Sequence, residues 1–199
     1  MATTESPVDQ QTVEEIIRDW PNEPTEIAER VIERYGWPDE AAPSELLWYD
    51  NGSWKRTELY RDGIPHNFPK EHTDYLKQVI DYRVPPEKFD DLGRFDGSVY
   101  VDRTNGELAS KCDQEAANVL ALNLAHDIIT GKMSVDDARQ EYAVTMVKSR
   151  MGGSPEYTQR LQFSLPQDKQ RDPDESIVTD AMKEEVKDQL EDVTTAEGG

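Results

Sequence analysis

Two Asn-Gly pairs fix more of this chain's architecture than any other feature. Asn51-Gly52 lies inside ELLWYDNGSWKRTELYRDG, and Asn105-Gly106 lies inside GSVYVDRTNGELASKC. Asn-Gly between alternating apolar runs is the strongest short hairpin signal, because both residues accept the positive φ that tight turns demand. Trp48 and Trp54 flank the first turn and can pair across it. Val99, Val101, Leu108 and Ser110 alternate about the second. Between the two, YLKQVIDYRV alternates loosely until Pro85-Pro86, where no central strand can continue. The spacing predicts four or five short antiparallel strands over residues 46 to 112. PPEKFDDLGRF reads as a short helix opened by proline.

Helical patterns stand on both sides of this region. Thr12 and Glu15 have capping-box spacing at the start of TVEEIIRDW, which Pro21 ends. Ile27, Ala28, Val31, Ile32 and Tyr35 share one face of a helix from about Pro24 to Tyr35, closed by Gly36. After the strands, Asp113 is placed to cap QEAANVLALNLAHDIIT, and Ser134 to Asp137 to cap VDDARQEYAVTMVKSRM. Their short link predicts an antiparallel helical hairpin on one face of the sheet. PEYTQRLQF reads as a last strand. The expected fold is thus α+β: a small antiparallel sheet of two hairpins packed against a helical hairpin, with N-terminal helices and an acidic tail helix. Residues 1–11 read as disordered, 12–36 as N-terminal helices, 37–163 as the core domain and 164–199 as the tail. Within the tail, Val178, Met182, Val186, Leu190 and Val193 make a narrow apolar stripe on a helix of about 173–192. That stripe offers a face to a protein partner or to a second copy of the chain.

Charge bounds the partners. Asp and Glu number 42 against 22 Lys and Arg, for a net charge of −20 in 199 residues. Nucleic acid and anionic membranes are excluded as expected partners, since both are bound through clustered bases. No run of residues reaches the roughly 20 apolar positions of a membrane-spanning helix, and the N-terminus lacks the pattern of a secretion signal. Cys112 is the single cysteine, so no internal disulfide can form. A cytoplasmic protein is expected. At about 1 M salt the Debye length shrinks to roughly 3 Å and repulsion between surface carboxylates is largely screened, so the composition reads as halophilic.

Candidate sites have no motif to anchor them: P-loop, GxGxxG, paired CxxC, HExxH and GxSxG are all missing. GIPHNFPKEHTDY holds His66 and His72, two of the three histidines, with Glu71 and Asp74 beside them. With His126 these residues form a candidate site for a divalent transition metal, since first-row ions favour imidazole and an open position activates water. Cys112, at a strand-to-helix junction, is a weaker candidate nucleophile. Asp81, Asp90, Asp91 and Asp96 are candidate acids, though acid pairs carry little weight in so acidic a chain. Arg56, Arg61 and Arg83, with Trp48 and Trp54, form a second candidate site, a clamp for an anionic ligand on the open face of the sheet.

The segments YGWPDEAAP, NGSWKRTELYRDGIPHNFPKEHTDYL, IDYRVPPEKFDDL and FDGSVYVDRTNGE are similar to a family of small uncharacterised soluble proteins of halophilic archaea and some bacteria. The resemblance runs from Tyr35 to Phe163. It implies the domain boundary and the saline setting, and carries no catalytic residue, cofactor or partner. The residues rank a protein that acts by binding, either a small anionic ligand or a protein, ahead of catalysis. A metal-dependent enzyme with a His66/His72 site is the alternative.

Dialysis from about 2 M to about 0.1 M KCl is expected to unfold the chain cooperatively, as followed by far-UV ellipticity, because screening of the carboxylates is withdrawn. Unchanged ellipticity and melting across that range would contradict the salt reading.

Overall fold

The computed structural model describes residues 8–168 and 170–196, with side chains to residue 190. Among these residues six strands form one antiparallel sheet of order β1-β2-β3-β4-β6-β5. The strands are β1 (Glu40–Ala42), β2 (Glu45–Asn51), β3 (Trp54–His66), β4 (His72–Asp81), β5 (Val99–Asp102) and β6 (Glu107–Cys112). The helices are α1 (Gln10–Arg18), α2 (Asn22–Tyr35), α3 (Phe89–Phe95), α4 (Glu115–Ile129), α5 (Val135–Arg150) and α6 (Asp180–Ala196). The α+β class matches the sequence pattern, with one or two more strands than expected. Both Asn-Gly segments turn hairpins, although neither is a two-residue Asn-Gly loop. Asn51 pairs with Trp54, so Gly52 and Ser53 make the first turn, and Asp102 pairs with Glu107 across a four-residue second turn.

A third hairpin, beyond the two that the Asn-Gly pairs indicate, joins β3 to β4. β3 and β4 continue through the His/Pro stretch to the register pair His66↔His72, leaving only residues 67–71 as the turn. The register shifts between Leu59 and Ile64, and Gly63 sits in that irregular stretch. A Cβ at Gly63 would meet the Thr73 methyl at 2.4 Å and the Tyr75 ring at 2.5 Å, so the close approach of the strands requires glycine.

Alternation along the strands gives one face to the core. Trp48, Leu59, Leu76, Gln78, Ile80, Leu108 and Ser110 line it through their register partners. Helices α1 and α2 cover its β1–β3 half, building a core of Val13, Ile17, Trp20, Ile27, Val31, Leu46, Trp48, Leu59 and Leu76. Helices α3, α4 and α5 cover the β4–β6 half, with Leu92, Phe95, Leu108, Leu120, Leu124 and Tyr142 among the buried side chains. α4 is apolar almost all round because it is buried almost all round. Its two buried asparagines explain why. Asn118 Nδ2 donates to the Leu76 carbonyl (2.9 Å) on the sheet side, while Asn123 binds the carbonyls of Tyr157 and Arg160 and accepts from Gln162 N (2.7 Å) on the other.

Four local expectations change. α1 begins at Gln10, inside the stretch read as disordered, because the Asp9 side chain rather than Thr12 caps it; residues 1–7 lie outside the described residues. Gln114, not Asp113, stands at the cap of α4 and supplies no side-chain bond. PEYTQRLQF is a 3₁₀ turn followed by irregular chain, since Asn123 takes up its backbone groups in place of a neighbouring strand. The tail helix starts at Asp180 instead of near Asp172. Arg103 draws Asp172 and Asp174 into ion pairs at 2.8 and 2.7 Å, and Arg83 also reaches Asp172 (3.1 Å), which holds the chain extended over the β5–β6 turn. Val178, Met182 and Val186 of the apolar stripe are exposed; Val193 lies outside the described side chains.

Leu120→Ala, at a fully buried position in α4, is expected to cost about 3 kcal/mol in urea unfolding at constant salt. Arg160→Ala, in an exposed i,i+4 pair with Glu156, should change stability by less than about 0.5 kcal/mol.

Candidate functional site

The β3–β4 hairpin brings its two histidines side by side, their rings tilted by 54°. As register partners, His66 and His72 have ring centroids 5.0 Å apart. Asp74 is two residues along β4 from His72, hence on the same side of the strand, and is 1% exposed. His66 Nδ1 is 3.3 Å from Asp74 Oδ2, and His72 Nε2 is 2.9 Å from Asp74 Oδ1. One ligand atom from each of the three residues lies within 4.8 Å of the others.

The segment leading into β5 closes the cluster. The Ser98 hydroxyl donates to Asp74 Oδ2. Ser98 N donates to Asp96 Oδ1 at 2.8 Å, and His66 Nε2 lies 3.6 Å from the same oxygen. From the end of β6, Cys112 Sγ approaches His72 Nε2 to 3.4 Å. The turn itself is pinned. Phe68, before the cis Pro69, packs against Phe95 and Tyr142, and the Arg139 guanidinium stacks over it at 4.0 Å.

Protonation follows from these contacts. His72 Nδ1 lies 2.8 Å from the Lys70 carbonyl. A carbonyl only accepts, so Nδ1 carries the proton and the neutral ring turns a lone pair at Nε2 toward Asp74. Asp74 Oδ1 is buried and accepts no well-directed hydrogen bond, even though His72 Nε2 is 2.9 Å away. Two acceptors that close need a cation or an added proton between them. The Asp74 carboxylate does raise the imidazole of His72 above its ordinary 6.5, against the opposing effect of burial. Burial raises the Asp96 carboxyl above its ordinary 3.8, with the Ser98 N–H and His66 acting the other way.

The remaining candidates do not join this cluster. His126, read as the third imidazole, stacks on Phe163 at 4.2 Å and binds the Tyr82 hydroxyl through Nδ1 (2.8 Å), and burial lowers it below its ordinary 6.5. Helix α4 carries it to a different, half-buried aromatic nest away from the hairpin. Glu71 is exposed at the turn, outside the group formed by His66, His72 and Asp74. Burial pushes the Cys112 thiol well above its ordinary 9.0, which removes the thiolate a nucleophile needs.

The arginine clamp is also dispersed. Arg61 pairs with its neighbour Asp62 (2.7 Å) and Arg83 with Asp172 (3.1 Å). Arg56 lies on the sheet face away from the helices, held by Glu58 (2.6 Å) and Glu107 (3.1 Å). Trp48 and Trp54 are core side chains whose indole N–H groups bond the Gly36 carbonyl (2.9 Å) and the Tyr35 hydroxyl (3.2 Å). Strand spacing indicated neighbouring arginines, but it does not reveal that each already has a carboxylate. Ser98 and Arg139 were missed because they come from distant elements without local periodicity, and the Lys70 carbonyl because its role depends on the turn that β3–β4 pairing creates.

No protein-family model, curated protein or solved structure matches the chain, so its site is read from its own geometry. Among the described residues no helix is long and apolar enough to cross a membrane.

Glu58 and Glu107 generate a pH prediction. Burial tends to raise both, but hydrogen bonds from Tyr60 and Arg56 to Glu58, and from Arg56 and Lys55 to Glu107, bring each below its ordinary 4.5. A depressed native value means that the native state binds these protons more weakly than the unfolded chain. Their stabilisation is therefore complete above about 4.5 and is lost as pH falls through the lower native values. Thermal melts at fixed KCl should show a steep acid-side decline for the wild type and a shallower one for Glu58→Gln/Glu107→Gln. Parallel curves would refute this role.

Proposed function

We propose that the protein binds a first-row transition-metal ion through His66, His72 and Asp74. The observation that carries the reading is the convergence of three donor atoms within 4.8 Å at the tip of the β3–β4 hairpin. Two imidazoles and a carboxylate match the preferences of zinc and its neighbours. Metal–ligand bonds of about 2.1 Å place donors roughly 3.4 Å apart, a separation that modest side-chain rotation gives here. The surroundings supply the outer contacts such a site requires. The Lys70 carbonyl fixes the His72 tautomer with Nε2 inward, Asp96 stands behind His66 Nε2, and Ser98 holds Asp74. Three protein ligands leave a position for water or an exogenous group, the arrangement catalytic ions use. The charge of −20 and the resemblance to proteins of halophiles support placing this site in a protein adapted to concentrated salt.

Protein purified in high salt without chelator is expected to retain about one transition-metal ion per chain by elemental analysis, as a single three-ligand site requires. The His66→Ala/His72→Ala variant should lose it, whereas His126→Ala should keep it. Cobalt(II) should give the wild type, and not the double variant, the visible d–d bands of a low-symmetry site. A folded wild type that neither retains metal nor takes up added zinc or cobalt would overturn the reading.

A further inference from the structure

A cleft of about 110 Å³ opens beside the histidine hairpin, between the Pro69 turn and α5. Its walls are Pro69, Tyr142, Met146 and Val147, and its floor is His72 and Cys112. The apolar character continues outward, since Val147 on α5 and Met151 just past its end are 57% and 83% exposed. A dry apolar void of roughly 150 Å³ holds a benzene-sized guest, so this smaller, open cleft suits the narrower body of a short aliphatic chain. Its rim carries Lys70 and Arg150.

Those two cations belong to the minority of described lysines and arginines that make no ion pair. Acidic side chains outnumber basic ones 42 to 22, and most lysines and arginines described are in ion pairs, yet neither Lys70 nor Arg150 has a carboxylate within salt-bridge distance among the described residues. Arg150 ends α5, where a cation also complements the helix dipole; Lys70 has no such reason to be there. One carboxylate, Asp113, shares the rim, and it faces the Cys112 thiol at 3.4 Å. Two cations against one carboxylate, over an apolar pocket, make a receptor for a molecule with a greasy body and a negative end.

We infer that this cleft binds a small organic carboxylate, its apolar body between Pro69 and Met146 and its charge held by Lys70 and Arg150. The inference goes beyond the metal centre and does not require it, because the walls and both cations are present without an ion.

The test is calorimetric titration of full-length protein at fixed KCl with hexanoate and with hexan-1-ol, with and without chelator. Hexanoate should bind in the millimolar range and about fivefold more tightly than the alcohol, a margin set by two solvent-exposed charge contacts. Lys70→Gln/Arg150→Gln should erase that preference. Met146→Trp, which fills the cleft, should abolish binding of both probes while leaving the melting temperature close to wild type. Equal affinity for the two probes, an unchanged preference in the glutamine variant, undiminished binding in Met146→Trp, or no hexanoate binding would each overturn the inference. His66→Ala separates the two proposals, since His66 is a metal ligand outside the cleft: it should lose metal and keep hexanoate.

Discussion

Strand β4 imposes the constraint from which the site follows. Its pleat sends His72, Asp74, Leu76, Gln78 and Ile80 to one face, the face that the helices bury. Toward the Asp81 end, the row is met by apolar side chains and by the Asn118 amide, which donates to Gln78 Oε1 (3.1 Å). Toward the His72 end, a carboxylate occupies a position as buried as the leucine beside it. An ionised carboxylate without partners would be far too costly there. The fold therefore has to deliver polar groups to Asp74, and it delivers them from two directions: His66 across the hairpin and Ser98 ahead of β5.

Rigidity of the surroundings gives this cluster its definition. A five-residue turn at a hairpin tip is ordinarily the least constrained part of a sheet. Here Phe68 folds back under the helical layer between Phe95 and Tyr142, and Arg139 of α5 clamps it from above while donating to the carbonyls of Arg94 and Phe95. The turn is thus tied to α3 and α5 together, and its Lys70 carbonyl orients His72 from a fixed point. Donor geometry held by packing in this way is what a binding site requires.

Much of the fold was legible because the informative signals were local. Asn-Gly turns, the Ser134 cap and the apolar circumference of α4 each depend on a few adjacent residues and survive any tertiary arrangement. The boundaries that moved did so through distant partners: Asn123 claimed the backbone of residues 157–162, and Arg103 claimed the acids expected to start the tail helix. The site divides along the same line. His66, His72 and Asp74 are near in sequence, so their proximity was readable. Their convergence was not, because it depends on β3 and β4 extending into a proline-containing stretch and pairing His66 with His72. Ser98 and Asp96 come from more than 20 residues away with no periodic pattern to mark them. His126 was misplaced for a related reason: its residue type marks it as a third imidazole, but nothing local shows the Phe163 segment that stacks on it.

Charge balance inside the cluster links its geometry to the rest of this acidic chain. Surface carboxylates can be screened by solvent ions, whereas Asp74 and Asp96 are 1% and 4% exposed and beyond the reach of that screening. With both histidines neutral, the two carboxylates leave a buried charge of −2. Protonating Asp96, which its raised pKa makes easier, relieves half of that charge but does nothing at the other end, where the Asp74 Oδ1 and His72 Nε2 lone pairs confront each other at 2.9 Å. A second proton on His72 relieves that confrontation, though it must sit off the line joining the two atoms, where a hydrogen bond is weak. A divalent cation between the three donors cancels the buried charge and occupies both lone pairs in one step. On electrostatic grounds it is the most complete solution that the arrangement of His66, His72 and Asp74 admits.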